Sequence, residues 1–324
     1  MINVDVCRGR KIESGVKVEQ IRPLLAEGKV TLWIDIGAPT EDDWKTLTEQ
    51  FDFHPLALED ARNRNQRAKV DQYPGYLFLS VRSWIGFQTD MDDMEQVTDE
   101  IDIFLGPTYL VTIHQKECSV VAETIRRWEQ HPDLISDQPG FLLHELLDTI
   151  VDDFFPAIDD LDVEIDKLET LIYSGAGSFD VKPALRMKKR LLLLRQTIAP
   201  MRDLLNFLLR ADQALIPVEA RIYLQDVYDH SLRQVEQVDL HRDMLTGVLD
   251  AMMAQTSNRL NQVMKTMTAV STILMSASLI TGVYGMNFVN MPELRAHNGY
   301  YGALAAMAGV ALVLTAFFKR IKWF

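Results

Sequence analysis

Two uncharged runs near the C-terminus limit what this chain can fold into more than any other feature. Thr266 to Met286, TMTAVSTILMSASLITGVYGM, and Gly299 to Phe318, GYYGALAAMAGVALVLTAFF, hold 21 and 20 residues without a charge. A helix needs about 20 apolar residues to cross the hydrocarbon of a bilayer, so both qualify as spans. The segment between them, 287–298, is too short for a domain, and the spans form a hairpin. Lys265 precedes the first span and Lys319, Arg320 and Lys322 follow the second, whereas the loop contributes Arg295. Positive charge gathers on the cytoplasmic side, which places both termini in the cytoplasm of a cell bounded by this inner membrane.

The two spans differ in character. The second is plain Ala, Val, Leu and Phe with Gly302 and Gly309, small residues that let helices approach. The first carries Thr266, Thr268, Ser271, Thr272, Ser276, Ser278 and Thr281. Such hydroxyls either bond back to their own helix or line an aqueous path. Met264, Met267, Ser271, Met275, Ser278 and Gly282 recur at spacings of three and four, so they share one helix face. A single helix cannot enclose a conduit, so a pore along that face requires a ring of identical chains. The alternative is a packing seam.

The rest of the chain reads as soluble. Its 33 Lys+Arg against 46 Asp+Glu give a formal net charge of -13, which argues against a nucleic-acid groove. Cys7 and Cys118 lack metal-ligand or CxxC spacing and read as reduced thiols. Residues 1–140 mix strand-like runs (31–38, 76–87, 101–106 and 109–115) with helices opening at Thr40 and at Ser119 as caps. No phosphate-loop, dinucleotide, nucleophile-elbow or HExxH motif occurs there, and His54, His114 and His131 stand isolated. No enzymatic constellation results.

From 141 the period changes. Leu147, Val151, Phe154, Ile158, Leu161, Ile165, Leu168 and Ile172 form a coiled-coil seam that Pro156 should bend. A turn near Asp180 leads to a basic helix whose seam is Leu191, Leu194, Ile198, Met201, Leu205 and Leu208. An acidic and a basic helix so joined make an antiparallel hairpin over 141–217. After Pro217 no proline interrupts the chain before the loop, so Glu219 to Met286 reads as one helix, roughly 100 Å long at about 1.5 Å per residue. Its stretch 218–265 is a stalk, 266–286 a span, 287–298 an external loop, 299–318 the second span and 319–324 a basic tail.

YGMN, Tyr284 to Asn287, directly follows the first of two C-terminal spans, MPEL follows at 291–294, and KRIKWF ends the chain. With HPLALEDARNRNQRAKVDQY (54–73), LLDTIVDDFFPAIDDLDVEID (146–166) and YLQDVYDH (223–230), these stretches resemble the CorA-type divalent-cation channels over essentially the whole chain. The resemblance implies an α+β cytoplasmic domain, a long helical coiled-coil stalk and two transmembrane helices in a funnel-shaped homopentamer. It implies Mg²⁺ as the chief ion, with Co²⁺ and Ni²⁺ also carried. Residues implied at the pore are Asn261, Met264, Met267, Met275, Ser278, Gly282, Gly285, Met286 and Asn287. Asn287 would ring the outer mouth with neutral amides that accept from the water shell of an ion reluctant to dehydrate. Regulatory Mg²⁺ is implied between subunits at Asp250, with Asp90, Asp92 or Asp93 opposite, and at a second site including Asp226. Alternatives are a ZntB-type zinc transporter and a membrane-anchored coiled-coil scaffold.

Overall fold

The computed structural model describes residues 2–9, 11–64, 66–89, 93–130, 138–174, 180–210, 215–288, 290–292 and 297–323, without the side chain of Tyr173. In chain order the elements are β1 (Ile2–Arg8), β2 (Lys11–Glu13), α1 (Ile21–Glu27), β3 (Thr31–Gly37), α2 (Glu41–Gln50), α3 (Pro55–Asn63), β4 (Lys69–Tyr73) and β5 (Tyr76–Trp84). Then come α4 (Met94–Val97), β6 (Thr98–Leu105), β7 (Tyr109–His114), α5 (Ser119–Gln130), α6 (Pro139–Asp152), α7 (Phe155–Tyr173), α8 (Lys182–Arg210), α9 (Val218–Tyr284) and α10 (Gly299–Arg320). They form two compact units, Met1–Gly247 and Val248–Phe324. The helix α9 runs unbroken through both, for 67 residues.

The first unit is built on a seven-stranded sheet of order β2-β1-β3-β7-β6-β5-β4. Only β3 and β7 pair in parallel; the other neighbours are antiparallel. Strand alternation sends Leu32, Ile34 and Ile36 of β3 into a cluster with Ile21, Leu24, Trp44, Leu47 and Ala57 from α1 to α3. The alternate residues of β3 face the other way. Trp33 packs on Trp128 of α5 at 5.9 Å and donates from Nε1 to Thr112 Oγ1 at 3.0 Å. With helices on both faces, β3, β5, β6 and β7 are buried almost throughout.

Local signals mostly act where the sequence places them. Thr40 caps α2, its Oγ1 accepting from Asp43 N at 3.3 Å while Asp43 Oδ2 accepts from Thr40 N at 2.9 Å. Ser119 does not cap α5 but is its first residue; the Cys118 carbonyl already accepts from Ala122 N. His54 caps α3, accepting from Leu56 N. His114 is buried against Asp35, 3.2 Å away, and Nδ1 donates to the Lys116 carbonyl. His131 lies outside the described residues. Both cysteines are buried and unpaired by disulfide.

The long seam is buried at every one of its positions from Leu147 to Ile172. It is split between two helices, however. The backbone breaks at 153–154 because Pro156, in the first turn of α7, has no N–H to continue the ladder of α6. The earlier half, α6, packs on the sheet, and the acidic–basic hairpin is α7 against α8, with Arg190 Nη1 3.5 Å from Glu164. Asp180 Oδ1 accepts from Lys182 N at the start of α8.

Candidate functional site

The second unit contains the end of α9, and α10. Both helices are apolar enough to cross a membrane. A helix turns about 100° per residue, so Ala269, Ile273, Ser276 and Ile280 lie on one side of α9. Ala269 is fully buried and the other three are half-buried. This is the side that meets α10 and the tail. Thr266 Oγ1 donates to the Trp323 carbonyl at 3.4 Å, and Phe318 stacks on Trp323.

The stripe Met264, Met267, Ser271, Met275, Ser278 and Gly282 lies on roughly the opposite side, and every member is exposed. Met264, Met267 and Met275 are 59%, 64% and 72% accessible. Asn261, one turn before Met264, is exposed as well. The second helix thus leaves this face uncovered.

The hydroxyls of the span divide along the same line. Thr266, Thr272, Ser276 and Thr281 each donate to the carbonyl four residues earlier, at 3.0, 2.8, 2.8 and 3.0 Å. These are self-satisfied groups of the kind an apolar setting requires. The hydroxyls of Thr268, Ser271 and Ser278 make no hydrogen bond among the described residues. All three point to the half of the helix that carries the methionines. A hydroxyl in that position needs water or another chain.

The helix ends at Tyr284. Gly285 N donates to Thr281 O at 2.9 Å and Met286 N to Val283 O at 3.3 Å, closing the last turn. Gly285, Met286 and Asn287 follow it, all exposed. The Asn287 amide has no partner among the described residues. Gly285 does not use a left-handed φ; it sits where a Cβ would come within 3.3 Å of Thr281 O.

A second cluster lies in the first unit, where α6 faces α9. Asp148 and Asp152 stand one turn apart on α6, and Asp226 and His230 one turn apart on α9. His230 Nδ1 is 3.0 Å from Asp152 Oδ1, and Nε2 is 3.8 Å from Asp226 Oδ2. One ligand atom from each of Asp148, Asp152 and His230 falls within 4.8 Å of the others. Burial, reinforced by the Asp152 carboxylate, pushes the Asp148 carboxyl up to about 6. A divalent cation would relieve that repulsion, and carboxylate oxygens with one imidazole suit a hard ion.

Of the residues expected to bind a regulatory ion, Asp226 therefore joins a cluster. Asp93 does not: its carboxylate caps α4, accepting from Gln96 N at 3.2 Å. Asp250 is exposed on α9 and forms no ion pair with any described residue. Asp90 and Asp92 lie outside the described residues. Asp148 and Asp152 belong to the acidic run of 148–166, which the sequence leaves open between a solvated face and a cation-binding one; His230 carries no such reading. The signal available was a pair of i, i+4 combinations, Asp148/Asp152 and Asp226/His230, on helices of unknown register.

A sheet-based unit, a 67-residue helix and a second helix, both of these helices apolar enough over a stretch to cross a membrane, define the class: a two-span membrane protein with a large domain outside the bilayer. The family described as CorA-like Mg²⁺ transporter protein matches residues 28–320, and the chain belongs to it. A putative metal ion transporter of Bacillus subtilis is 35% identical over 292 residues, covering 90% of this chain and 89% of its own. The cobalt/magnesium transport protein CorA of Thermotoga maritima is 34% identical over 308 residues, covering 94% and 87%. The solved structure of the CorA magnesium transporter from Methanocaldococcus jannaschii superposes with a TM-score of 0.83 at 21% identity, covering 100% of this chain and 99% of that one. It establishes the shared fold. The family is one of transporters rather than enzymes.

Proposed function

We propose that the chain is one subunit of a homopentameric Mg²⁺ channel whose path is lined by the exposed stripe of α9. The observation that carries this reading is the division of hydroxyls. Those toward α10 are satisfied internally, and those beside the methionines are left for water. Around a cyclic axis, Asn261, Met264, Met267, Met275, Ser278, Gly282 and Asn287 form successive layers. The methionines are hydrophobic constrictions able to close by dewetting. Asn287 and the end formed by Gly285 and Met286 make the outer mouth. Amide oxygens accept from the water shell of Mg²⁺ without stripping it, so the ion is held and released. Co²⁺ and Ni²⁺, named or implied for relatives, are further cargo. The span holds no acid, base or histidine to relay protons, which supports passive flow inward down the membrane potential. Both termini lie in the cytoplasm, by the distribution of Lys and Arg.

Cytoplasmic Mg²⁺ would regulate the channel from the first unit. Asp148, Asp152, Asp226 and His230 are the groups to hold it, joining α6 to the stalk. Asp250, Asp90 and Asp92 remain candidates for contact with a neighbouring subunit. Bound cation neutralises facing carboxylates and favours the closed arrangement; its loss leaves like charges opposed.

The test is Mg²⁺ uptake into liposomes by purified protein, beside Asn287→Ala, with Zn²⁺ and an imposed pH gradient as controls. Uptake that vanishes in the variant and ignores pH supports the reading. Zn²⁺ uptake that follows the gradient would replace it with a proton-coupled zinc carrier, and no uptake by an intact oligomer at low internal Mg²⁺ would leave a scaffold.

A further inference from the structure

Met267 and Met275 are the two methionines of the stripe that lie within the membrane span, eight residues apart. At about 1.5 Å per residue they are separated by about 12 Å. Ser271 stands midway, four residues from each. It is exposed, on the side away from α10, and its hydroxyl makes no hydrogen bond among the described residues. Thr272, its immediate neighbour, bonds to Thr268 O at 2.8 Å, and Ser276 to Thr272 O at 2.8 Å. The local helix therefore offers carbonyls to hydroxyls, and Ser271 does not take one.

We infer that Ser271 is the residue that keeps the hydrophobic stretch of the ion path wettable. This rests on the proposed path along the stripe and adds a function to a position within it. A purely apolar wall about 12 Å long expels water, and a Mg²⁺ ion that travels with its water shell cannot enter a dry segment. A ring of hydroxyls at mid-height divides that wall into two segments of about 6 Å each. Every hydroxyl supplies one donor and two acceptor positions, enough to anchor a water layer from each chain. Closing still occurs at the methionines, while opening needs only two short segments to fill. Ser271 thus sets how readily the open channel conducts, and Asn287 sets what enters.

The experiment compares Mg²⁺ uptake into liposomes by wild type, Ser271→Ala, Ser271→Val, Ser276→Ala and Asn287→Ala at low internal Mg²⁺. Ser271→Ala should slow uptake about fivefold, the rate equivalent of one net hydrogen bond. Ser271→Val should slow it further, and Ser276→Ala, which removes a self-satisfied hydroxyl, should leave it unchanged. In parallel, Ser271→Cys and Ser276→Cys are exposed to a membrane-impermeant thiol reagent; Cys7 and Cys118 are buried. Labelling at 271 and not at 276 is expected, and this readout stands even if the valine variant fails to assemble. Wild-type uptake by Ser271→Ala, an equal loss in Ser276→Ala, or an unlabelled 271 overturns the inference. Wild-type uptake by Asn287→Ala would instead overturn the underlying path.

Discussion

The two units of this chain solve opposite problems. In Met1–Gly247 an apolar core closes on itself: Leu142, Leu146, Ile158, Leu194 and Leu205 are all fully buried. In Val248–Phe324 the apolar residues face outward, and the candidate spans are only 6% buried within the chain. Leu274, Leu279, Leu312 and Val313 are each more than 60% accessible. The first unit contains its own solvent-excluding core. The second leaves its apolar residues to surroundings outside the chain, as helices that cross a bilayer do.

The largest expected contrast comes from deleting a leucine in each unit. Leu194→Ala leaves a cavity in a closed core and should cost about 3 kcal/mol. Leu274→Ala removes surface that the chain itself does not bury and should cost less than about 1 kcal/mol. Thermal unfolding in detergent, with hydrogen exchange to separate the units, reads both. Equal losses would erase the comparison.

Next in size is the cation cluster. Asp148→Asn removes one of the carboxylates between α6 and α9 and should raise the Mg²⁺ concentration that half-inhibits uptake by about tenfold, equivalent to about 1.4 kcal/mol. Asp93→Asn should leave that concentration unchanged, since this carboxylate is occupied as a helix cap. An inhibition curve that moves with Asp93 and not with Asp148 would relocate the sensor.

Thr40→Ala removes the side-chain half of the capping box, the Oγ1 that accepts from Asp43 N, and should cost about 1 kcal/mol in the first unit, read by denaturant midpoint, with no change in ion uptake. The smallest effect concerns Asp102. It is 2% exposed, and its Oδ1 has no partner. Burial, then the Glu100 charge, raises its carboxyl well above 3.8. The unfolded chain releases this proton from about pH 4 upward while the folded chain keeps it, so the group's contribution to stability falls as pH rises through that window. Asp102→Asn should therefore unfold at a higher temperature than wild type at pH 7.5, by a margin that shrinks toward pH 4. A margin that grows on acidification would contradict the assignment.

Periodicity made much of this legible. The run from Glu219 carries no proline, and the observed helix spans Val218–Tyr284. The seam from Leu147 to Ile172 was visible because heptad spacing survives any tertiary arrangement, although its interruption put α6 on the sheet. Strands β1, β2 and β4 were not legible. The run INVDVCR buries Asp5 beside its valines, and KVDQY is too polar to announce a strand; both are specified by neighbours far along the chain. The stripe on α9 was readable as a face, but not which face the second helix covers. The cluster of Asp148, Asp152, Asp226 and His230 depends on residues 78 apart meeting across two helices, and no local pattern encodes that register.

The central claim is that the face of α9 turned from α10 carries the ion. The direct measurement is block of Mg²⁺ uptake by a hydrophilic thiol reagent in Met275→Cys and in Ile280→Cys. Reagent should arrest uptake through Met275→Cys and leave Ile280→Cys running at its starting rate. Block at 280 with none at 275 would place the ion path on the other side of the helix and contradict the account.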